Sequence, residues 1–253
     1  MRYPGFRVRE LRYPGCFSQP PHTHDTTSVT LIVAGSLEEL VGTRREQARP
    51  CSVVVKPAGT EHSDWYGDRG ACTLTFELES GFLADLDGER ILRRWRWSHC
   101  GPAARVLISS LEGIRAQHPR RVAELVLELL GVLAAEEAVD SEDSLPDWLG
   151  AARGELDRRR ASPFRVRDTA AVFGVHPVYF TRQFHRYYGC SPTVYLTRSR
   201  LQRAADLVTS TRISFAGVAL GSGFADQSHL CRAFKSGLGV TPTSYRRLAQ
   251  SAL

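Results

Sequence analysis

The last hundred residues of this 253-residue chain repeat themselves. Displaced by 50 positions, Phe180 falls on Leu230, Arg182 on Arg232, Phe184 on Phe234 and His185 on Lys235. Gly189 then falls on Gly239, Ser191 on Thr241, Pro192 on Pro242 and Tyr195 on Tyr245. Two copies are too few to stack as a solenoid, so the repeat is a supersecondary unit used twice.

Each copy reads as a short helix, a tight turn, a second helix and then a third. Val166, Thr169, Ala170 and Phe173 mark the first short helix, and Phe215, Val218, Ala219 and Ser222 its counterpart. Gly174 and Gly223 stop them, since glycine enters the left-handed conformation without a Cβ clash. The second helices begin near Pro177 and Asp226, a proline suited to the first helical position and an aspartate that accepts orphan N–H groups. Phe180, Phe184 and Tyr187 form the buried face of one; Leu230, Phe234 and Leu238 that of the other. Ser191-Pro192 and Thr241-Pro242 start the third helices. Paired helices around a glycine turn have the shape of a helix-turn-helix, whose second helix enters the major groove of DNA. Off the core face lie Val178, Thr181, Arg182 and Arg186 in one copy, and Gln227, Ser228, Cys231 and Arg232 in the other. Arg182 and Arg232 stand at matching positions, where a bidentate fork would read guanine; the alternative is contact with phosphate or water.

The run Ser214 to Lys235, followed by Gly239-Val-Thr-Pro-Thr-Ser-Tyr-Arg, closely resembles the signature of AraC/XylS-family transcription regulators. The resemblance covers Asp147 to Arg247 and implies two helix-turn-helix units bridged by a long helix, here Pro192 to Val208. It also implies base reading by Val178, Thr181 and Arg182, and by Gln227, Ser228 and Arg232. Arg165 stands where a Ser or Thr cap is usual, and Thr169 replaces a common aliphatic.

Charge divides at the same place. From Asp147 onward there are 16 basic and 6 acidic residues, net +10, while the first 146 residues carry net −4. A basic half points to a nucleic-acid or membrane partner. No stretch approaches the ~18 apolar residues of a membrane span, and the N-terminus lacks the apolar centre of a signal peptide. The six cysteines are scattered without a C-x-x-C pair and read as reduced thiols. The expectation is a soluble, cytoplasmic protein that binds double-stranded DNA and no membrane.

The acidic segment Val139 to Pro146 is the linker candidate. It divides a sensing domain, 1–140, from a DNA-binding domain, 147–253, with 141–146 between them. Before it, Ser28 to Val33, Ser52 to Lys56 and Cys72 to Leu78 read as short strands bounded by turn signals, which suggests a small antiparallel barrel or sandwich. Val122, Leu125, Val126, Leu129, Leu130 and Leu133 form a helical stripe, and a helix over Pro102 to Gln117 precedes it. The stripe fits a helix lying on the barrel or a homodimer seam through 102–138. The expected fold is multi-domain, with a cupin-like antiparallel β-barrel and following helices ahead of an all-α double helix-turn-helix.

His22-Thr-His24 and Pro57-Ala-Gly-Thr-Glu-His62 resemble the two cupin motifs found in the sensor half of many AraC-type regulators. In metal cupins the three histidines join a Glu a few residues after the second His. Here that stretch is Asp25-Thr-Thr-Ser-Val29, and Asp25 has the wrong spacing. No cofactor is expected; His22, His24 and His62 are the metal candidates should an ion bind, and otherwise line an effector pocket with Trp65 and Tyr66. Trp95, Trp97 and the basic run Arg93-Arg-Trp-Arg are further pocket candidates. No catalytic triad, phosphate loop or complete metal set is visible, so the chain reads as a non-enzyme. Its reading is a DNA-binding regulator answering a small-molecule effector, with RNA polymerase as a partner if it activates. The rivals are a metal-dependent cupin enzyme fused to a DNA-binding module and a regulator that needs no ligand.

Overall fold

The structure is a computed structural model that describes residues 1–86, 88–137 and 145–251. The strands are β1 (Arg2–Tyr3), β2 (Phe6–Tyr13), β3 (Ser18–His22), β4 (Thr27–Val41), β5 (Arg44–Ala48), β6 (Ser52–Lys56), β7 (His62–Leu78) and β8 (Arg96–His99). They form one antiparallel sheet in the order β1-β2-β7-β4-β6-β8, with β3 added to β7 and β5 to β4. The helices α1 (Ser80–Asp85) and α2 (Gly88–Ile91) precede β8, and α3 (Pro102–Arg115) and α4 (Pro119–Glu137) follow it.

The antiparallel β domain with following helices is as expected, but two strands run far longer than the sequence pattern suggested. Residues Thr27–Ala34 of β4 pair with Cys72–Leu78 of β7, and Leu37–Leu40 pair with Ser63–Tyr66. One register shift falls inside the first stretch, between Ile32 and Ala34, and a second, between Gly35 and Leu37, separates the two. At the corner Gly35 adopts φ +80°, and a Cβ there would sit 2.0 Å from the Gly70 carbonyl oxygen. Bulges bend and twist a strand, so the sheet folds over on itself; no pairing joins β1 to β8 among the described residues.

Alternation along the bent strands sends side chains to two cores. Val29, Leu31 and Val33 face the helices, whereas Ile32, Leu37, Ala48, Tyr66 and Ala71 fill a smaller core between the folded halves. The stripe from Val122 to Leu133 is buried against α3 and the first of these cores. It is the inner face of α4, so those side chains cannot also form a homodimer seam; the outer face carries Arg121, Glu124, Leu127 and Glu128.

The second half contains α5 (Asp147–Arg158), α6 (Val166–Val172), α7 (Pro177–Tyr188), α8 (Pro192–Ser210), α9 (Phe215–Ser222), α10 (Gln227–Leu238) and α11 (Pro242–Ser251). The acidic linker segment falls mostly outside the described residues. Phe180, Phe184 and Ala170 pack on Leu149, Ala152 and Leu156 of α5 in a core of their own. The second unit has no such independence. Leu201, Ala204, Ala205 and Val208 of α8 share one core with Val218, Leu230, Phe234, Tyr245 and the sheet.

The repeated caps differ in one respect. Ser214 Oγ accepts from the Gly217 amide at 3.2 Å, while Arg165, its counterpart before α6, makes no side-chain cap bond. A missing cap leaves an orphan donor to water. Ser214→Ala is therefore expected to cost about 1 kcal/mol, and Arg165→Ser to stabilise by a similar amount. Urea midpoints of the two variants check this, and a destabilised Arg165→Ser would sink the cap argument.

Candidate nucleic-acid interface and sensor sites

The two candidate reading surfaces sit on α7 and α10, each entered through a glycine turn: Gly174 has φ +65° and Gly223 φ +84°. His176 Nδ1 accepts from the Val178 amide at 3.3 Å, and Asp226 Oδ1 from the His229 amide at 2.7 Å. Both helices end in left-handed glycines, Gly189 and Gly239. With Phe180, Phe184, Leu230 and Phe234 fully buried, the opposite faces are forced outward. Val178, Arg182 and Arg186 are exposed on α7, and Gln227, Ser228 and Arg232 on α10. Thr181 is the exception. It is half-buried, and its hydroxyl donates to the Pro177 carbonyl at 3.0 Å. The Arg186 guanidinium lies 5.7 Å from the Tyr187 ring centroid.

In the sensor half, His22, His24 and His62 converge. Ring centroids lie 4.2 Å apart for His22 and His62, 5.0 Å for His22 and His24, and 5.2 Å for His24 and His62. Asp64, two residues beyond His62 on the same face of β7, places Oδ2 3.8 Å from His62 Nε2. Behind them lies a buried ion pair, Glu39 Oε1 with Lys56 Nζ at 2.5 Å. The other oxygen of Glu39 accepts from the Trp95 and Trp97 indoles at 2.6 and 2.9 Å. Burial, assisted by the Lys56 ammonium, holds His62 down at about 4 and lowers His24. Burial raises Asp64.

A cavity of about 680 Å³ opens between the halves, walled by Trp97 and His99 of β8, Val132 of α4, and Arg153, Tyr188 and Tyr195 of the first helical unit. At its edge the Ser52 hydroxyl accepts from Gln202 Nε2 at 2.8 Å and from the Arg49 amide at 3.1 Å. Its own proton then goes to His99 Nδ1 at 2.8 Å, leaving His99 Nε2 to donate to Glu46 at 3.1 Å. The order Ser-His-Glu resembles a nucleophile relay, but Ser52 is fully buried and its oxygen is already occupied. Its work is to tie α8 to the sheet.

An AraC-like ligand binding domain matches residues 3–145, more than half of the chain, and a helix-turn-helix domain matches residues 169–248. The chain belongs to the AraC family. It is 37% identical over 84 residues to an uncharacterized HTH-type transcriptional regulator of Haemophilus influenzae, covering 33% of this chain and 28% of that one. It is 29% identical over 92 residues to the regulatory protein PocR of Salmonella typhimurium, covering 36% and 30%. The match spans about a third of the length of these curated relatives. Among solved structures, ToxT of Vibrio cholerae O395 is similar at 14% identity and TM-score 0.42, over 98% of this chain and 99% of that one.

For an AraC-family chain, the sensor departs from the sequence reading in two ways. Trp65 does not join the histidines: strand alternation puts His62, Asp64 and Tyr66 on one side of β7 and Trp65 on the other, 40% exposed beneath the Arg45 guanidinium. Tyr66 faces inward but stacks on Tyr13 at 4.1 Å and donates to Gln19, away from the histidine rings. Asp25 is exposed and outside the cluster, in keeping with its spacing. Glu39, Lys56 and Asp64 carry no site signal in the sequence pattern, because charged residues in a strand read as surface. Only the two-residue spacing of Asp64 from His62 sets it apart.

Proposed function

We infer that this AraC-family chain is a sequence-specific regulator of transcription that reads duplex DNA with α7 and α10. The observation that supports this best is the pair of capped helices presenting Arg182 and Arg232 on matching outward faces, joined by the single rigid helix α8. Val178, Thr181 and Arg186 flank the first arginine, and Gln227 and Ser228 the second. The small-molecule effector is assigned to the cavity beside Trp97, Tyr188 and Tyr195, whose volume suits a small organic ligand. A ligand shifts an equilibrium only by contacting two states differently. One held there touches both the sensor and the first helical unit. The cytoplasm is where such a regulator meets chromosomal DNA, and no described helix is long and apolar enough to cross a membrane. RNA polymerase is its partner where it activates, and a homodimer would use the outer face of α4.

The test is selection of binding sites from random duplex DNA by the full chain, followed by titration of the enriched site across salt. One bipartite motif is expected, with affinity falling linearly on a log–log plot as phosphate contacts displace counterions. Failure to enrich any motif, or binding indifferent to salt, would falsify the reading.

A further inference from the structure

The two helical units use the same face of their third helix differently. Tyr195, Arg198 and Ser199 of α8 correspond, 50 positions on, to Tyr245, Leu248 and Ala249 of α11. In the second unit that face is sealed: all three side chains are buried in the core shared with the sheet. In the first unit it looks into the cavity, with Tyr195, Arg198 and Ser199 half-buried along the wall. Where the sealed face has leucine and alanine, the open one has arginine and serine.

The wall of the cavity is cationic. Among the described residues it carries five arginines against three carboxylates, and two of those carboxylates are already engaged. Asp157 accepts from the Tyr195 and Ser199 hydroxyls, each at 2.9 Å, and Glu46 from His99 Nε2 at 3.1 Å. Arg153 Nε is committed to the Tyr195 hydroxyl at 3.1 Å. Arg198 and Arg49 differ: neither side chain has a hydrogen bond or ion pair among the described residues. Gln202, one turn beyond Arg198 on the same face of α8, donates to the Ser52 hydroxyl, which also accepts from the Arg49 amide. That knot brings Arg198 from the helical half and Arg49 from the sensor to one edge of the cavity. A half-buried guanidinium without a partner is a ready site for an anion.

We propose that this cavity binds an aromatic organic anion, its charged group held by Arg198 and Arg49 and its ring lying against Trp97 and Tyr188. The class rests on the placement of the effector in this cavity and goes one step further. A guanidinium presents a planar fork of donors that fits an oxyanion bidentately, and the two aromatic side chains supply flat apolar surface. The ligand takes, for the first helical unit, the place that the sheet takes for the second. Because it binds only the docked arrangement, it stabilises α6 and α7 against opening by themselves.

Fluorescence titration of the full chain with 8-anilinonaphthalene-1-sulfonate, and with N-phenyl-1-naphthylamine as its uncharged counterpart, tests the proposal. One equivalent of the sulfonate is expected to bind saturably, at least about tenfold tighter than the amine. Arg198→Leu, which copies the sealed face, should weaken the sulfonate about tenfold and leave the amine unchanged or tighter. Arg49→Ala, at an exposed position, should likewise weaken only the sulfonate. Ala135→Trp, on the α4 wall, should exclude both probes by filling the cavity. Hydrogen exchange in α6 and α7 should slow when the sulfonate binds. Equal affinity for the two probes, or sulfonate binding indifferent to both arginine substitutions, would overturn the anion while leaving the cavity a ligand site. Binding of neither probe, or of both regardless of Ala135→Trp, would overturn the cavity assignment itself. Unchanged exchange in α6 and α7 would overturn the docking role.

Discussion

Tyr245→Ala is expected to lower the unfolding free energy by about 3–5 kcal/mol, the range for truncating a large buried aromatic. Tyr245 is 1% exposed and sits where the second helical unit meets the sheet. Its ring lies 6.0 Å from Phe234, edge to face. Its hydroxyl donates to the Val33 carbonyl at 2.8 Å and accepts from Cys51 Sγ at 3.3 Å. Val33 is the residue skipped where the β4–β7 register shifts, so its carbonyl has lost its place in the ladder. Tyr245→Phe keeps the packing and leaves that carbonyl unpaired, at a cost of about 1–3 kcal/mol. Urea denaturation of both variants measures the two contributions. A loss under about 1 kcal/mol for the alanine variant would mean the junction repacks and the halves are not joined there. Tyr195, the repeat mate, is bonded instead to Asp157 and Arg153 of α5 at 2.9 and 3.1 Å, so its removal should disturb only the first unit.

Arg182→Ala and Arg232→Ala are each expected to weaken binding to the selected DNA site by about 1–3 kcal/mol, roughly 5- to 150-fold. Both arginines are exposed, and neither has an internal hydrogen bond or ion pair among the described residues. If they fork onto guanines, each substitution relaxes sequence preference in one segment, with the two segments about one helical turn (~34 Å) apart on one DNA face. Binding-site selection repeated with each variant resolves the segments. Uniform weakening across all sequences would instead place both guanidiniums on phosphates.

The helical half was the legible half. Glycine stops, Asp226 and the Ser/Thr-Pro pairs act through neighbouring backbone, so local sequence suffices to read them; Ser191, Thr241 and Asp226 all accept cap bonds where they should. The convergence of His22, His24 and His62 was legible through motif spacing. The length of β4 was not, because Glu38 and Glu39 interrupt its apolar run. Glu39 is wholly buried only because Lys56 and two tryptophans, distant in sequence, meet it there. The α4 stripe shows the same limit: periodicity reveals that a face is apolar but not what covers it. Nor could the repeat reveal that its two tyrosines serve different partners, since identical motifs say nothing about the surfaces they meet.

The continuity of the second unit's core with the sheet has a consequence for cooperativity. Backbone amides in α9 to α11 should resist hydrogen exchange as long as those of β4 and β7, because opening them exposes the shared core around Leu201, Val208 and Tyr245. Those of α6 and α7 rest on a separate cluster with α5 and can open by themselves. Cutting the chain near residue 145 would then tear one folding unit apart, leaving Tyr245 and Leu248 bare on the excised piece. The energetic boundary of this molecule runs through α8, between Tyr195 and Leu201, with α7 on one side of it and α10 on the other.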